Sequence, residues 1–124
     1  MDTLNVLVVD DEKLSREMLS ELLGEKGHTV ITAADGLEGV ELFKEHHEAL
    51  SLVILDLTMP RMNGDEALPL MRAINEEVPV LVASGYSEEE VLKRFSEGGA
   101  TPSGVIMKPF SMVILDDLMS RVRI

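Results

Sequence analysis

A chain of 124 residues, 45% of them apolar, has room for one domain with a packed core and not for two, so residues 1–124 are read as a single domain. The absence of cysteine removes disulfide, zinc–thiolate and thiol-nucleophile chemistry. A formal net charge of −12 opposes binding to nucleic acid or an anionic membrane, and no apolar run is long enough to span a bilayer. No basic segment followed by an apolar stretch opens the chain, so a cytoplasmic location is expected.

Val6-Leu7-Val8-Val9 is a continuous apolar run, read as a strand, and Asp10-Asp11 follow it. Leu14, Met18, Leu19, Leu22 and Leu23 then recur at helical spacing and are expected to face a core, with Gly27 closing the helix. Val30-Ile31-Thr32-Ala33 reads as a second, more polar strand. Asp35-Gly36 makes a turn into a helix marked by Leu37, Val40 and Phe43. Leu52-Val53-Ile54-Leu55 reads as a strand buried on both faces, yet it runs straight into Asp56. A buried strand does not normally end in a bare carboxylate, because desolvating an unpaired charge is costly.

Asn63 is placed to cap a third helix whose apolar set is Ala67, Leu70, Met71 and Ile74. Pro69 falls inside that helix and is expected to kink or wind it locally. Pro79-Val80-Leu81-Val82-Ala83 is a fourth strand ending in Ser84-Gly85. Ser87 and Glu90 have capping-box spacing, and Val91, Leu92 and Phe95 are expected to point inward until Gly98-Gly99 stop the helix. Val105-Ile106-Met107 is a short fifth strand before Lys108-Pro109-Phe110. Ser111 caps a last helix with Ile114, Leu115, Leu118, Met119 and Val122 assigned to its buried side. The methionines read mostly as core filler, and His28, His46 and His47 as surface residues.

Strands and helices alternate throughout, and near-continuous apolar strands indicate a parallel sheet covered on both faces. Ligands of such sheets bind outside the carboxyl ends of the strands. Asp10 and Asp11, Asp56, Ser84 and Lys108 all stand at such ends, while Ala33-Ala34 contributes nothing. Read singly, the acidic pair is a helix cap, Ser84 a turn residue and Lys108 a surface charge. Their shared register is what favours a chemical reading. Carboxylates gathered on one rim repel each other, and a divalent cation that prefers oxygen, Mg2+ above all, complements them. An Asp nucleophile with Mg2+ and a lysine suits phosphoryl transfer. The Ser84 hydroxyl and Lys108 would contact phosphoryl oxygens, and Gly85 leaves room beside them.

In this order and spacing, the residues resemble the receiver domain of bacterial two-component response regulators over essentially the whole chain. The resemblance is carried by Asp10-Asp11, by Asp56 within Leu55-Asp56-Leu57-Thr58-Met59-Pro60, by Met62-Asn63-Gly64, by Ser84 and by Lys108-Pro109-Phe110. It implies a flavodoxin-like doubly wound sheet of five parallel strands in the order 2-1-3-4-5, with five helices. It makes Asp56 the acceptor of a phosphoryl group from a histidine kinase or a histidine phosphotransfer protein. Asp11 would bind Mg2+ directly, Asp10 mainly through water, and the Thr58 carbonyl would complete the protein ligands. Ser84 and Lys108 would contact the phosphoryl group, with Lys108-Pro109 a cis peptide. Phosphorylation would then remodel the face formed by helix four, strand five and helix five.

The resemblance implies no enzyme beyond phosphoryl transfer to Asp56 and slow self-dephosphorylation. Ser84-Gly85-Tyr86-Ser87-Glu88 and the segment 104–110 look most like receivers of hybrid sensor kinases, so the kinase core of the same polypeptide is a further candidate donor. Two positions depart from the family. Val105 stands where an aromatic residue is usual, leaving Tyr86 as the nearby ring, and Pro69 interrupts helix three. A receiver that signals without phosphate would have lost an acid or the lysine, and none is lost. A haloacid-dehalogenase type of phosphohydrolase would carry a second acid where Thr58 stands.

Overall fold

Five strands form around the apolar runs: β1 (Asn5–Val9), β2 (Thr29–Ala33), β3 (Leu52–Asp56), β4 (Val80–Ser84) and β5 (Gly104–Met107). Alternating with them are α1 (Lys13–Glu25), α2 (Gly36–His46), α3 (Gly64–Ile74), α4 (Glu88–Ser96) and α5 (Met112–Arg121). The structure is a computed structural model that describes residues 3–122. All four pairings are parallel and the order is β2-β1-β3-β4-β5, the doubly wound, flavodoxin-like arrangement that the sequence implies.

Register decides what reaches the rim. Val9 pairs with both Ala33 and Leu55, Asp56 with Ala83, and Ser84 with Met107. The strands therefore finish together, and the residues at or just after each finish stand along one edge of the sheet.

Side chains alternate between two packed layers, as strand pleating requires. Leu7, Val9, Val53, Leu55 and Val82 meet Phe43, Leu68, Met71, Val91 and Phe95 from α2, α3 and α4. On the other face Val6, Val8, Ile54, Leu81 and Ile106 meet Leu19, Leu23, Leu115 and Met119 from α1 and α5. Edge strands β2 and β5 are only partly covered, which in β2 matches a more polar sequence. Ser87 and Ser111 cap their helices as expected, and Asp35, read from the sequence only as a turn residue, does the same; each accepts from the backbone N–H three residues on.

Several helix faces differ from the sequence expectation. Leu14 is 78% exposed, and Met18, Leu70 and Ile114 are also exposed. Met18, Leu70 and Ile114 each stand one position before a buried residue, roughly 100° round the helix, which takes them off the buried stripe. Leu92, one position after buried Val91, is exposed for the same reason. In α3 the buried place goes to Leu68 instead of Leu70. The helix also continues through Pro69, whose missing N–H forfeits only the bond to the Asp65 carbonyl.

The methionines divide: Met59, Met71 and Met119 are buried, whereas Met18 and Met107 are half exposed. The histidines are half-buried and two are bonded. His28 Nδ1 accepts from Leu4 N at 3.1 Å, and His47 Nδ1 lies 3.0 Å from Asn75 Nδ2 with its ring against Phe43.

Two contacts of the α3 N-terminus bear on the rim. Gly64 N donates to Leu57 O at 2.8 Å, and a Cβ on Gly64 would lie 2.5 Å from the Asp56 carbonyl oxygen. The next residue, Asp65, accepts from Arg94 Nε of α4 at 3.1 Å through Oδ2, while its Oδ1 is buried without a partner. Gly64→Ala is therefore expected to cost about 1–3 kcal/mol in urea unfolding. Gly24→Ala, whose Cβ meets nothing on exposed α1, should gain roughly 0.5–1 kcal/mol in the same measurement.

Candidate functional site

Four of the five strand ends, all but that of β2, supply a single cluster. Asp56 closes β3 and is 7% exposed; Asp10, one residue beyond β1, is 4% exposed. Ser84 closes β4 and is buried, and Lys108 follows β5 half-buried. Asp11 is exposed at the mouth. Carboxylate oxygens of Asp10, Asp11 and Asp56 all lie within 4.8 Å of one another. The Lys108 ammonium bridges two of them, 3.2 Å from Asp10 Oδ2 and 3.1 Å from Asp56 Oδ1.

The backbone holds these groups in place. Asp10 Oδ1 accepts from Glu12 N at 2.9 Å, and its carbonyl accepts from Arg16 Nη1 at 2.8 Å. Lys108 N donates to Ser84 O at 2.8 Å, which extends the β4–β5 ladder to the lysine. Ser84 Oγ accepts from Tyr86 N at 3.0 Å, and its own hydrogen has no acceptor among the described residues.

Electrostatics single out Asp56. Burial pushes its carboxyl up from 3.8 to about 6; Lys108 opposes this, and the charges of Asp10 and Asp11 add to it. For Lys108, burial acts to lower the pKa, but attraction from Asp56 and Asp10 outweighs it and the group is raised. One ammonium thus leaves a net negative cluster. Its donors are all oxygen, carboxylates are few, and one side is open, which fits a hard divalent cation such as Mg2+.

The remaining sequence candidates fall around this centre. Thr58 is exposed in the loop from β3 to α3, and Gly85 and Tyr86 are exposed where β4 leaves the sheet. Val105 is partly buried against the α4 side of the core. Pro109 follows a cis peptide from Lys108. Three features were not anticipated: Arg16 on the Asp10 carbonyl, an ion pair between Arg61 and Asp35, and a cleft beside the rim. The cleft, about 330 Å3, is lined by Asp10, Ser15, Met18, Leu19, Lys108 and the Pro109-Phe110 pair. Only Asp35 carried a visible signal, its capping-box spacing to Glu38.

The response regulator receiver domain family model matches residues 6–123. The chain belongs to that family. It is similar to response regulator RR06 of Streptococcus pneumoniae, 38% identical over 114 residues that make up 90% of this chain and 49% of that protein. The receiver thus spans about half the length of that relative. Among solved structures, the CheX–CheY–BeF3–Mg2+ complex from Borrelia burgdorferi aligns with a TM-score of 0.86 at 30% identity, covering 98% of this chain and 90% of that one. The receiver domain from the hybrid histidine kinase CckA aligns at 0.77 with 27% identity, covering 95% and 97%. This receiver is accordingly a phosphoacceptor module of two-component signalling.

The raised pKa of Asp56 has a consequence for stability. The unfolded carboxyl titrates near 3.8 and the folded one near 6, so the fold prefers the protonated form and loses stability as pH rises from about 4 through 6. Asp56→Asn removes that loss. In magnesium-free urea unfolding at pH 7.5 the variant should be more stable by about 1 kcal/mol, allowing for screening at the open rim. The difference should close below about pH 4. An equal difference at both pH values would contradict the assignment.

Proposed function

We propose that Asp56 is the residue that accepts the phosphoryl group, from a histidine kinase or histidine phosphotransfer protein. The observation that carries this is the Lys108 ammonium held 3.1 Å from a buried Asp56 that two further carboxylates crowd. An Asp56 carboxylate oxygen forms the new bond to phosphorus as the bond to the donor nitrogen or oxygen breaks. The donor atom keeps the electron pair and later takes a proton from water. Asp10, Asp11, Asp56 and the Thr58 carbonyl would hold Mg2+, which when bound offsets the negative charge of the transferring group.

The chain's own residues do the rest. Lys108, freed from its pair with the Asp56 carboxylate, follows the charge to a phosphoryl oxygen, and the unused hydrogen of Ser84 donates to another. Moving Ser84 Oγ away from Tyr86 N breaks the bond that holds the loop from β4 into α4. That loop, together with the face of α4, β5 and α5, is where the phosphorylated population would differ, with Tyr86 as the ring in place of one at Val105. Self-transfer and slow hydrolysis are the only chemistry assigned to the chain.

A donor must cover the rim, and the apolar cleft opens on it. Exposed Leu14 and Met18 with Pro109 and Phe110 form the surface against which a kinase or phosphotransfer helix would pack. That donor is either a separate protein or the kinase core of the same polypeptide. No described helix is long and apolar enough to cross a membrane, and a cytoplasmic location is part of the proposal.

Incubation with Mg2+ and acetyl phosphate should add one phosphoryl mass to the wild type and none to Asp56→Asn. Beryllofluoride should bind with the same dependence; mass gain or mimic binding in the variant overturns the assignment. Lys108→Ala should keep Mg2+ binding but lose the amide-exchange response in α4. Met18→Glu should slow transfer from a cognate kinase roughly tenfold, a hot-spot effect. Acetyl phosphate, too small to use the cleft, should still phosphorylate it at the wild-type rate.

A further inference from the structure

A backbone carbonyl cannot be tuned by its own side chain, so the use of Thr58 as a ligand depends on where the loop from β3 to α3 is held. The inner edge of that loop is fixed by its own residues. Met59 N donates to Asn63 Oδ1 at 3.0 Å, and Gly64 N to Leu57 O at 2.8 Å. The outer edge is fixed from α2. Gly36, the first residue of that helix, sits so close to the Met62 carbonyl that a Cβ there would collide with it.

Beside this contact, Arg61 takes a left-handed backbone conformation, φ 66°, which residues with a side chain seldom adopt without being held. The Met62 N–H donates to the Pro60 carbonyl at 2.7 Å, closing a tight turn across Arg61, and beyond that turn Arg61 Nη1 stands 3.4 Å from Asp35 Oδ2. The Asp35 side chain is only 12% exposed, and its other oxygen accepts from Glu38 N at 2.9 Å. The carboxylate is therefore anchored to the start of α2 and cannot follow Arg61 if the loop moves.

We propose that Asp35 and Arg61 form a brace, seated on the Gly36–Met62 contact, that positions the loop and its Thr58 carbonyl for Mg2+. Arg61 is a positioning residue here and touches neither metal nor phosphate. The inference rests on the reading of Asp10, Asp11, Asp56 and Thr58 as the Mg2+ site. An ion pair with one exposed partner adds little to global stability, so the effect is expected in the loop and at the metal.

The test is a calorimetric Mg2+ titration of the wild type, Arg61→Ala, Asp35→Asn and the double variant. Asparagine keeps an oxygen for Glu38 N, so Asp35→Asn removes the charge and spares the cap. Each single variant should weaken Mg2+ roughly threefold to tenfold, at or below the usual effect of groups that orient a ligand. The double variant should be no weaker than either single one, because the two residues act as one unit. Hydrogen exchange at Met59, Arg61 and Met62 should quicken in all three variants, with urea midpoints nearly unchanged. Wild-type affinity in both single variants, or losses that add in the double one, would overturn the brace while leaving the metal site standing. A wild type that does not bind Mg2+ would overturn the site itself and the brace with it.

Discussion

The Asp56 carboxylate is kept from water at the end of a strand buried on both faces, beside two other carboxylates and a single ammonium. That uncompensated charge is the constraint from which the rest of the rim follows. It explains why Lys108 is shared between Asp10 and Asp56, because neither pairing alone would offset the charge of both. Burial, with a smaller push from Asp10 and Asp11, makes Asp56 resist ionisation, while the attraction of Asp56 and Asp10 makes the lysine resist deprotonation. Under the proposed function, a site held in this condition would gain on binding a cation and again when a phosphoryl group brought oxygens for the cation and for Lys108 to bind.

Parallel pairing turns that constraint into geometry. Each strand is followed by a crossover helix that returns the chain to the far edge, so every strand delivers its C-terminal residue to the same rim. The core needs only apolar residues of suitable size along the strands, and it leaves the residue after each strand free to be chosen for chemistry. The loop after β3 is the exception, since in the proposed Mg2+ site it would offer a carbonyl and so would itself have to be positioned. The closeness of Gly36 to Met62 and of Gly64 to Asp56 shows how tightly the flanking helices hold it.

How much of this was legible follows from the length scale of each interaction. The caps at Ser87 and Ser111 and the gathering of Asp10, Asp11, Asp56, Ser84 and Lys108 were legible because each strand's local pattern fixes its end, and parallel pairing brings the ends to one rim; the strand order came only with the resemblance to receiver domains. The facing of Leu14, Met18, Leu70 and Ile114 was not, because apolar spacing does not distinguish a helix stripe against the sheet from one left for another surface. Met18 illustrates this: it lines the cleft at the rim and lies off the core. The Asp35–Arg61 pair and the His47–Asn75 contact were equally hidden, since both join elements far apart in sequence with no motif linking them.

The tie between α3 and α4 bears on reversibility. Asp65 follows the glycine that packs on the Asp56 backbone, and it holds Arg94 of α4 through one oxygen while the other is buried unpaired. That second oxygen is free to take a water or another donor, so the joint between these two helices has bonding capacity in reserve. The charged bond is the polar tie between the two helices, beside the apolar seat that Val91 and Phe95 give α4 in the core. A single exposed-side ion pair of this kind can be broken and remade without disturbing the apolar seat beneath it, so the two helices are coupled at their surface separately from their packing in the core.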